Sequence, residues 1–351
     1  MPEILIGERM VGDGHPPFII AEAGINHNGD VETALAMVRI ARDAGADAVK
    51  FQTFRAAEVV GDPAQTYSYR SQGKDVTESM LAMFRRCELP RQAWFAIKVE
   101  SDRQGIMFLS TPQNRTDLDI LLEVGVPAVK VGSDDFTNLP LLKSYATTGL
   151  PIILSCGMAD MTEVRNALSV VGALDGYPTV LLLCTSQYPT PPDDVNLRKL
   201  ATLRAAFPNL TLGYSDHTQG PLAASVATAF GAAVFEKHFT MSHDLPGPDH
   251  WFSEDPAGLA AWVQAIRTAH AMLGIAAMQP TAAERDMRAI ARRSIVAVRD
   301  IARGQTLTED NIGLRRPGTG LPADMFEQAL GRIATRDLRA GEVLKLGDFR
   351  P

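Results

Sequence analysis

The chain of 351 residues is too long for one ordinary small domain and fits a large α/β barrel with a small added module. Its 46% hydrophobic and 21% charged residues exclude disorder, and a net charge of −7 argues against nucleic acid as a partner. Three scattered cysteines, no signal-peptide pattern and no apolar run of ~20 residues predict a cytoplasmic protein that does not bind membranes.

Eight short apolar segments, each followed by a longer segment with helical periodicity, come first along the chain. They span residues 18–24, 48–54, 106–112, 128–133, 151–157, 179–186, 210–217 and 234–240. Eight strand–helix units in this length predict a (β/α)₈ TIM barrel over residues 1–274. A doubly wound open sheet is the structural alternative, but no G-x-G-x-x-G follows the first strand.

The pattern changes after Gly274. Residues 275–288 are predicted to form a polar linker with room for one helical turn. Residues 289–351 are predicted to form a small, mostly β module. It contains an internal near-repeat, in which residues 297–304 resemble residues 334–341.

Polar or ionisable residues stand at the ends of all eight predicted strands. They are Glu22, Asn26, His27, Lys50, Gln52, Ser110, Thr111, Lys130, Ser133, Ser155, Thr185 to Tyr188, Ser215 to His217, and Glu236 to His238. One such residue is usually a helix cap or a solvated loop residue. Their recurrence on every strand predicts a polar site at the C-terminal mouth of the barrel.

Two lysines with nearby serines predict an anion site in this mouth. Lys50 and Lys130 supply ammonium groups, and Ser133, Ser155 and Ser215 supply hydroxyl donors, which together suit a phosphate or a carboxylate. Structural ion pairs are the plain alternative. A Schiff-base lysine, as in barrel aldolases, is the competing functional hypothesis.

Two histidines predict a metal site. His217 and His238 end consecutive strands, and two imidazoles with Glu22 or Asp216 nearby suit a divalent transition metal. Structural hydrogen bonding of the two rings is the alternative. The rigid loop after the eighth strand presents Asp249 for a hydroxyl-binding role, or as a plain turn residue.

Several motifs resemble the sialic acid synthase family, which comprises N-acetylneuraminate synthase and its legionaminate and pseudaminate relatives. The matching segments are IIAEAGINHNGD (19–30), VKFQTF (49–54), KVGS (130–133), ILSCGM (153–158), TSQYPTPP (185–192), GYSDHT (213–218), FEKHFT (235–240), GPDH (247–250) and RPGTG (316–320). They run in family order across nearly the whole chain, and the C-terminal module resembles the antifreeze-like SAF domain.

The resemblance implies a metal-dependent condensation of phosphoenolpyruvate with an N-acyl-mannosamine-type hexose, giving a nonulosonic acid and phosphate. The hexose would be N-acetylmannosamine or a 2,4-diacetamido-2,4,6-trideoxyhexose. By similarity, phosphoenolpyruvate would contact Lys50, Lys130, Ser133, Ser155 and Ser215. The sugar would contact Gln52, Tyr188, Asp249 and Arg316.

The resemblance also implies a catalytic set and an assembly. Glu22, His217 and His238 would be catalytic, and the two histidines would hold a divalent metal, Mn²⁺ above all, with Mg²⁺ or Co²⁺ as substitutes. Arg316 would act on the partner subunit's barrel in a domain-swapped homodimer.

Some positions depart from the family pattern and leave the exact sugar open. Many members have a histidine in the run that here reads Leu181 to Cys184, Ser-Gly-Glu at Ser133 to Asp135, and Ser-Thr-Gly at Ser155 to Gly157. The loop GPDHWFSEDP favours a neuraminate- or legionaminate-type sugar over a pseudaminate type. A non-catalytic glycan-binding protein is a further alternative, which leaves the lysine–serine and histidine clusters unexplained.

Overall fold

A computed structural model describes residues 3–351 and divides the chain into two compact units after Gly274. The first unit holds the predicted barrel and the second the predicted small module. Within the described residues, every helix is too short or too polar to cross a membrane.

The first unit contains eight parallel strands in one sheet, so the predicted (β/α)₈ barrel is confirmed. Strands are numbered β1 to β16 in chain order; those of the barrel are β3 (Phe18–Gly24), β4 (Ala48–Thr53), β7 (Met107–Pro112), β8 (Val129–Val131), β9 (Ile152–Ser155), β10 (Thr179–Cys184), β11 (Thr211–Asp216) and β12 (Val234–His238). Each strand pairs with its neighbours in sequence order, and β12 pairs with β3. The sheet curls until its end strands, β7 and β8, lie beside each other.

Helices follow the barrel strands and cover the outside of the sheet. They are α1 (Val31–Asp43), α2 (Ala56–Val59), α3 (Met80–Cys87), α4 (Arg91–Gln104), α5 (Arg115–Val124), α6 (Leu139–Ala146), α7 (Met161–Val170), α8 (Pro192–Val195), α9 (Arg198–Ala206), α10 (Leu222–Ala229) and α11 (Pro256–Leu273), with a short 3₁₀ helix at Ala173–Asp175. Their apolar faces pack on the outward residues of the strands and form the main core. Trp262 and Ile97 are fully buried there.

Two antiparallel hairpins were not predicted. The first pairs β1 (Glu3–Ile6) with β2 (Arg9–Gly12), and Ile6 and Val11 from it pack with the inward residues of the strands. The second pairs β5 (Thr66–Ser71) with β6 (Lys74–Ser79) between α2 and α3. Gln72 and Gly73 form its two-residue turn, and both have the positive φ angles that such a tight hairpin needs.

The interior of the barrel changes from apolar to polar along the strands. Ile20, Ala48, Ala128, Ile153 and Val234 belong to an apolar cluster inside the barrel. Side chains alternate between faces with a period of two, so the next inward positions are Glu22, Lys50, Lys130, Ser155 and Glu236. Polar side chains therefore converge inside the C-terminal half of the barrel.

The second unit is small and mostly irregular, with short antiparallel pairs. It contains α12 (Ala282–Ala291), β13 (Ser294–Ala297), β14 (Ile312–Arg315), a 3₁₀ helix (Ala323–Met325), α13 (Phe326–Ala329), β15 (Ile333–Ala334) and β16 (Phe349–Arg350). The predicted linker holds more helix than one turn, because Thr281 and Glu284 form a capping box that starts α12.

The two copies of the near-repeat pair with each other. Ile301 and Leu338 exchange two backbone hydrogen bonds of 2.8 Å. Gly304 N–H donates to the Ala334 carbonyl, and its counterpart Gly341 donates to Ala297, each at 2.8 Å. Because equivalent positions of the two copies bond to one another, the repeat has a local pseudo-twofold arrangement.

Candidate active site

A cavity of about 640 Å³ opens at the C-terminal mouth of the barrel. Eleven of the residues predicted to bind substrate or metal, or to act in catalysis, line it: Glu22, Lys50, Gln52, Lys130, Ser133, Ser155, Tyr188, Ser215, His217, His238 and Asp249. Arg316 lies in the second unit, directly after β14, and its role at the barrel site stays a prediction.

The floor of the cavity is a buried array of alternating charges. The Lys50 ammonium lies 2.7 Å from Glu22 Oε2 and 3.6 Å from Glu236 Oε2. The Lys130 ammonium lies 3.6 Å from Glu236 Oε1. We call Lys50 and Lys130 the lysine pair. Both are at most 3% exposed, so their charges are only weakly screened by water.

The array gives its two carboxylates different proton affinities. Burial raises the pKa of Glu22 to about 7, against the opposing effect of Lys50. Burial also acts to raise the pKa of Glu236, but Lys130 and Lys50 outweigh it and hold that pKa at about 2. Glu236 is therefore an anion at neutral pH, whereas Glu22 is poised to exchange a proton.

The two lysines also differ from each other. Burial lowers the pKa of Lys130, and the charge of Glu236 opposes that effect only in part. Burial acts in the same direction on Lys50, but Glu22 and Glu236 reverse it and raise the pKa of Lys50. Lys130 donates to Ser155 Oγ at 2.7 Å and to the Val131 carbonyl at 2.9 Å.

Hydroxyl groups surround the lysine pair. Lys50 donates to Thr111 Oγ1 at 3.0 Å, and Ser215 Oγ donates to Glu236 Oε1 at 3.0 Å. Ser133 Oγ accepts a hydrogen bond from Gly157 N–H at 3.0 Å. The Ser186 hydroxyl is buried without a partner and also lines the cavity, so it is available to an anionic ligand.

Gly157 permits this cluster of hydroxyls. A Cβ atom at position 157 would lie 2.3 Å from Ser186 Oγ and 2.6 Å from Ser133 Oγ. No larger residue fits between the two serines without displacing them. The departure from the family pattern at Cys156 leaves this glycine, and both hydroxyls beside it, in place.

The two histidines could hold a divalent ion. Their ring centroids are 5.7 Å apart at the ends of β11 and β12. His217 Nδ1 must donate to the Thr185 carbonyl 2.7 Å away, which leaves its Nε2 as a free ligand atom. His238 Nδ1 is buried without a hydrogen-bond partner, and burial, together with His217, lowers the pKa of His238 well below its usual value.

This donor set fits a divalent ion that keeps open positions. No group of three or more His, Cys, Asp or Glu side chains that could hold a metal occurs among residues 3–351. Water and substrate oxygens would have to complete the coordination. Asp216, considered as a neighbour of the metal, instead accepts from Trp262 Nε1 at 2.9 Å and does not line the cavity.

Polar groups suited to a sugar lie above the floor. Gln52 donates to Glu22 Oε1 at 3.3 Å, so the amide helps to orient the carboxylate. The Tyr188 ring packs 4.1 Å from the His217 ring. Burial raises the pKa of Asp249 to about 6, and His217 opposes that effect. The Asp249 carboxylate can accept a hydrogen bond from a sugar hydroxyl, and its protonated form can donate one.

The loop that carries Asp249 is fixed by buried neighbours. Ser253 Oγ donates to the Asp249 carbonyl at 2.6 Å, and Asn26 donates to Ser253 Oγ at 3.1 Å. The His250 ring lies 3.1 Å from the Asn28 amide nitrogen and 2.7 Å from Thr240 Oγ1. This network sets the position of Asp249 without touching the cavity floor.

The sequence reasoning missed two residues as members of the site. Glu236 was recognised only as a polar strand end, although it bridges the lysine pair. Ser186 was noted in the same way and given no role. The available signal was the period-two alternation, which places Glu236 on the inward face together with Val234.

Comparisons with known proteins agree with this architecture. The model described as the NeuB family matches residues 37–277, and the model described as the SAF domain matches residues 292–350. The N,N'-diacetyllegionaminic acid synthase of Legionella pneumophila is 40% identical over 96% of both chains. The human N-acetylneuraminate-9-phosphate synthase is 34% identical over 91% of this chain and 89% of its own.

A solved structure shows the same likeness. The crystal structure of N-acetylneuraminic acid synthetase from Leptospira borgpetersenii superposes with a TM-score of 0.73 at 34% sequence identity. The match covers 81% of this chain and 94% of that one.

Proposed function

Because this chain belongs to the NeuB family, whose named relatives are synthases of sialic-acid-like acids, we propose that it condenses phosphoenolpyruvate with an N-acyl-mannosamine-type hexose. The products would be a nonulosonic acid and phosphate. One observation carries the proposal: the lysine pair and the His217–His238 pair line one cavity at the barrel mouth. The first pair suits an anion and the second a divalent metal.

The floor of the cavity would bind phosphoenolpyruvate. The lysine pair would meet its negative oxygens, and Ser133, Ser155, Ser186 and Ser215 would add hydroxyl donors. Glu236 lies 3.6 Å from each of the two ammonium groups and attracts both, so they are held near one another before the substrate arrives. The arrangement is thus preorganised for an anion in a water-poor site.

His217 and His238 would hold Mn²⁺, or Mg²⁺ or Co²⁺ in its place. A bound divalent ion would supply Lewis-acid polarisation of the open-chain sugar's aldehyde. Gln52, Tyr188 and Asp249 would orient that sugar from above the floor. Arg316 would act on the barrel of the partner subunit in a domain-swapped homodimer.

Glu22 is the proposed general base. The methylene carbon of phosphoenolpyruvate forms the new carbon–carbon bond to the aldehyde carbon, and the aldehyde oxygen takes up a proton from the protonated form of Glu22. Water then adds to the phosphate-bearing carbon and loses its proton to Glu22, whose pKa of about 7 suits that transfer. The carbon–oxygen bond to phosphate breaks while the new hydroxyl passes its proton to the departing phosphate, which leaves the 2-keto group and free phosphate.

Phosphate release tests the proposal. We expect release only when phosphoenolpyruvate, an N-acyl-mannosamine-type sugar and a divalent metal are all present. Lys130→Met and His238→Gln should abolish it, whereas Lys143→Met, at an exposed position on α6, should not. Release that persists after chelation and dialysis would refute the metal role, and release without sugar would refute the condensation.

The alternatives predict different results. A Schiff-base aldolase would form a pyruvate adduct on Lys50 or Lys130, which borohydride would trap, and it would release no phosphate. A glycan-binding protein would bind sugars tightly and release no phosphate with any sugar of the panel.

A further inference from the structure

A buried ion pair lies directly behind the two histidines that could hold the metal. Asp216 comes immediately before His217 at the end of β11. Lys237 comes immediately before His238 at the end of β12, and the register of the two strands places Lys237 opposite Asp216. Successive residues of a strand point to opposite faces. The histidines therefore line the cavity, whereas the Asp216–Lys237 pair faces away from it.

The pair is almost fully buried and has no part in the reaction proposed above. Asp216 is 1% exposed and Lys237 is 2% exposed, and the ammonium lies 3.2 Å from Asp216 Oδ2. Taking two charges out of water is costly, and well-packed apolar residues of similar volume are often at least as stable. Stability alone therefore gives no reason for charged residues at these two positions.

The pair holds the turn that carries His217. Asp216 Oδ1 accepts hydrogen bonds from the Thr218 backbone N–H at 2.9 Å and from the Thr218 hydroxyl at 2.7 Å. Lys237 donates to the Thr218 carbonyl at 2.5 Å. Thr190 N–H donates to the carbonyl of His217 itself at 2.8 Å. The backbone around His217 is therefore fixed from both sides.

Glu254 connects the same pair to His238. Its carboxylate lies 3.6 Å from the Lys237 ammonium and accepts a hydrogen bond from Gly220 N–H at 2.8 Å. Its backbone N–H donates to the His238 carbonyl at 2.9 Å. One residue thus contacts the segment after β11, the ion pair and the strand end that carries His238.

Trp262 on α11 holds the pair from the outside of the barrel. Its indole N–H donates to Asp216 Oδ2 at 2.9 Å, and the Lys237 ammonium lies 5.9 Å from the centre of its ring. Trp262 has no exposed surface. Because both carboxylate oxygens and the ammonium have partners on fixed elements, the network is rigid.

We propose that the Asp216–Lys237 pair consists of positioning residues, which hold His217 and His238 at the spacing that a divalent ion needs. This inference rests on the metal role in the proposed function and goes beyond it, because the pair itself does not reach the cavity. In the described part of the chain no third His, Cys, Asp or Glu completes a ligand group. Ligands must be held to within about 0.5 Å, so a small shift of either strand end would weaken metal binding.

Mn²⁺ binding to the substrate-free protein tests this inference, since electron paramagnetic resonance measures free Mn²⁺ without any turnover. Lys237→Met removes the charge and the hydrogen bond to Thr218, so the Kd for Mn²⁺ should rise roughly 10- to 100-fold. Thr218→Val is the milder variant, because it keeps the ion pair and removes only the hydroxyl bond to Asp216. Its Kd should rise roughly threefold or more. Excess Mn²⁺ should restore phosphate release in both variants, because both histidines are intact.

Asp47→Asn is the matched control for a loss of stability. Asp47 lies just before β4, at the other end of the barrel, and accepts a hydrogen bond from Arg267 at 3.1 Å. This variant should have a lower thermal midpoint than wild type and the same Kd for Mn²⁺.

Unchanged Mn²⁺ binding in Lys237→Met and Thr218→Val would overturn the inference and leave the synthase function standing. So would an equal loss of Mn²⁺ binding in Asp47→Asn, since any loss of stability would then weaken the site. If the thermal midpoint shows that Lys237→Met does not fold, Thr218→Val decides alone. Equal Mn²⁺ binding by wild type and His238→Gln would instead refute the metal role in the proposed function, and this inference with it.

Discussion

Asp117 on α5 is a buried carboxylate that no catalytic argument requires. It has no exposed surface, and neither of its oxygens has a hydrogen-bond partner. Burial, and then the nearby charge of Glu58, raise its pKa from 3.8 to about 6. The variant Asp117→Asn removes the charge while keeping the shape of the side chain.

The sign of the effect follows from proton linkage. The native state binds the Asp117 proton more tightly than the unfolded state does, so the proton stabilises the fold. This contribution is complete below the unfolded pKa of 3.8 and is lost as the pH rises through about 6. Its upper limit is roughly 3 kcal/mol, and between about pH 5 and about pH 8 it amounts to about 1.4 kcal/mol.

Urea unfolding measures this difference. Trp94, Trp251 and Trp262 all lie in the first unit, so tryptophan fluorescence reports the barrel alone. Between about pH 5 and about pH 8, wild type should lose about 1.4 kcal/mol of unfolding free energy relative to Asp117→Asn. Asp119→Asn, at an exposed position on the same helix, is the control and should follow wild type. Parallel curves for wild type and Asp117→Asn would refute the reasoning.

Three further predictions concern the site and its surroundings. Glu236→Gln leaves the lysine pair without its shared carboxylate, so inorganic phosphate should raise its thermal midpoint more than it raises that of wild type; equal shifts would contradict this role. Lys237→Met breaks the buried ion pair with Asp216, 3.2 Å away, and should cost about 3–5 kcal/mol of unfolding free energy. A cost below about 1 kcal/mol, the range of surface pairs, would show that this pair is dispensable. Arg316→Ala should raise the KM of the sugar much more than that of phosphoenolpyruvate, and an equal loss of both would point to misfolding of the second unit.

The barrel could be predicted because its signals are local and repeated. Each strand is a short apolar segment, and buried parallel strands need little else to be recognised. The predicted bounds of β3 agree with the structure, whereas the segment predicted over 128–133 forms a strand only at Val129–Val131. The ends are less certain because a strand stops where its backbone pairing stops, and that depends on neighbours distant in sequence.

The sequence identified most residues of the site but not the contacts among them. Strand-end polarity identified the lysine pair and the histidines, since the mouth of a barrel collects the ends of all its strands. It did not identify Glu236 as the bridge between the lysines, because the bridge depends on the distances across the barrel interior. The apolar residues that line the cavity from α2 and α3 were also missed, since these helices reach the barrel mouth only in the folded chain.

The cavity has a charged floor, whereas the helix α3 lines it with Met80, Met83 and Phe84. This division has a consequence that can be measured. Ser155 contacts Lys130 on the floor, whereas Met80 stands on α3, and the two share no hydrogen-bond partner. Independent sites change free energies additively, so the effects of Ser155→Ala and Met80→Gln on kcat/KM should multiply to within about twofold. The single variants should also separate, with Ser155→Ala acting on phosphoenolpyruvate and Met80→Gln on the sugar. If the double variant departs from the product by more than about fivefold, the floor and the apolar residues of α3 act as one unit, and the assignment of separate tasks to them is wrong.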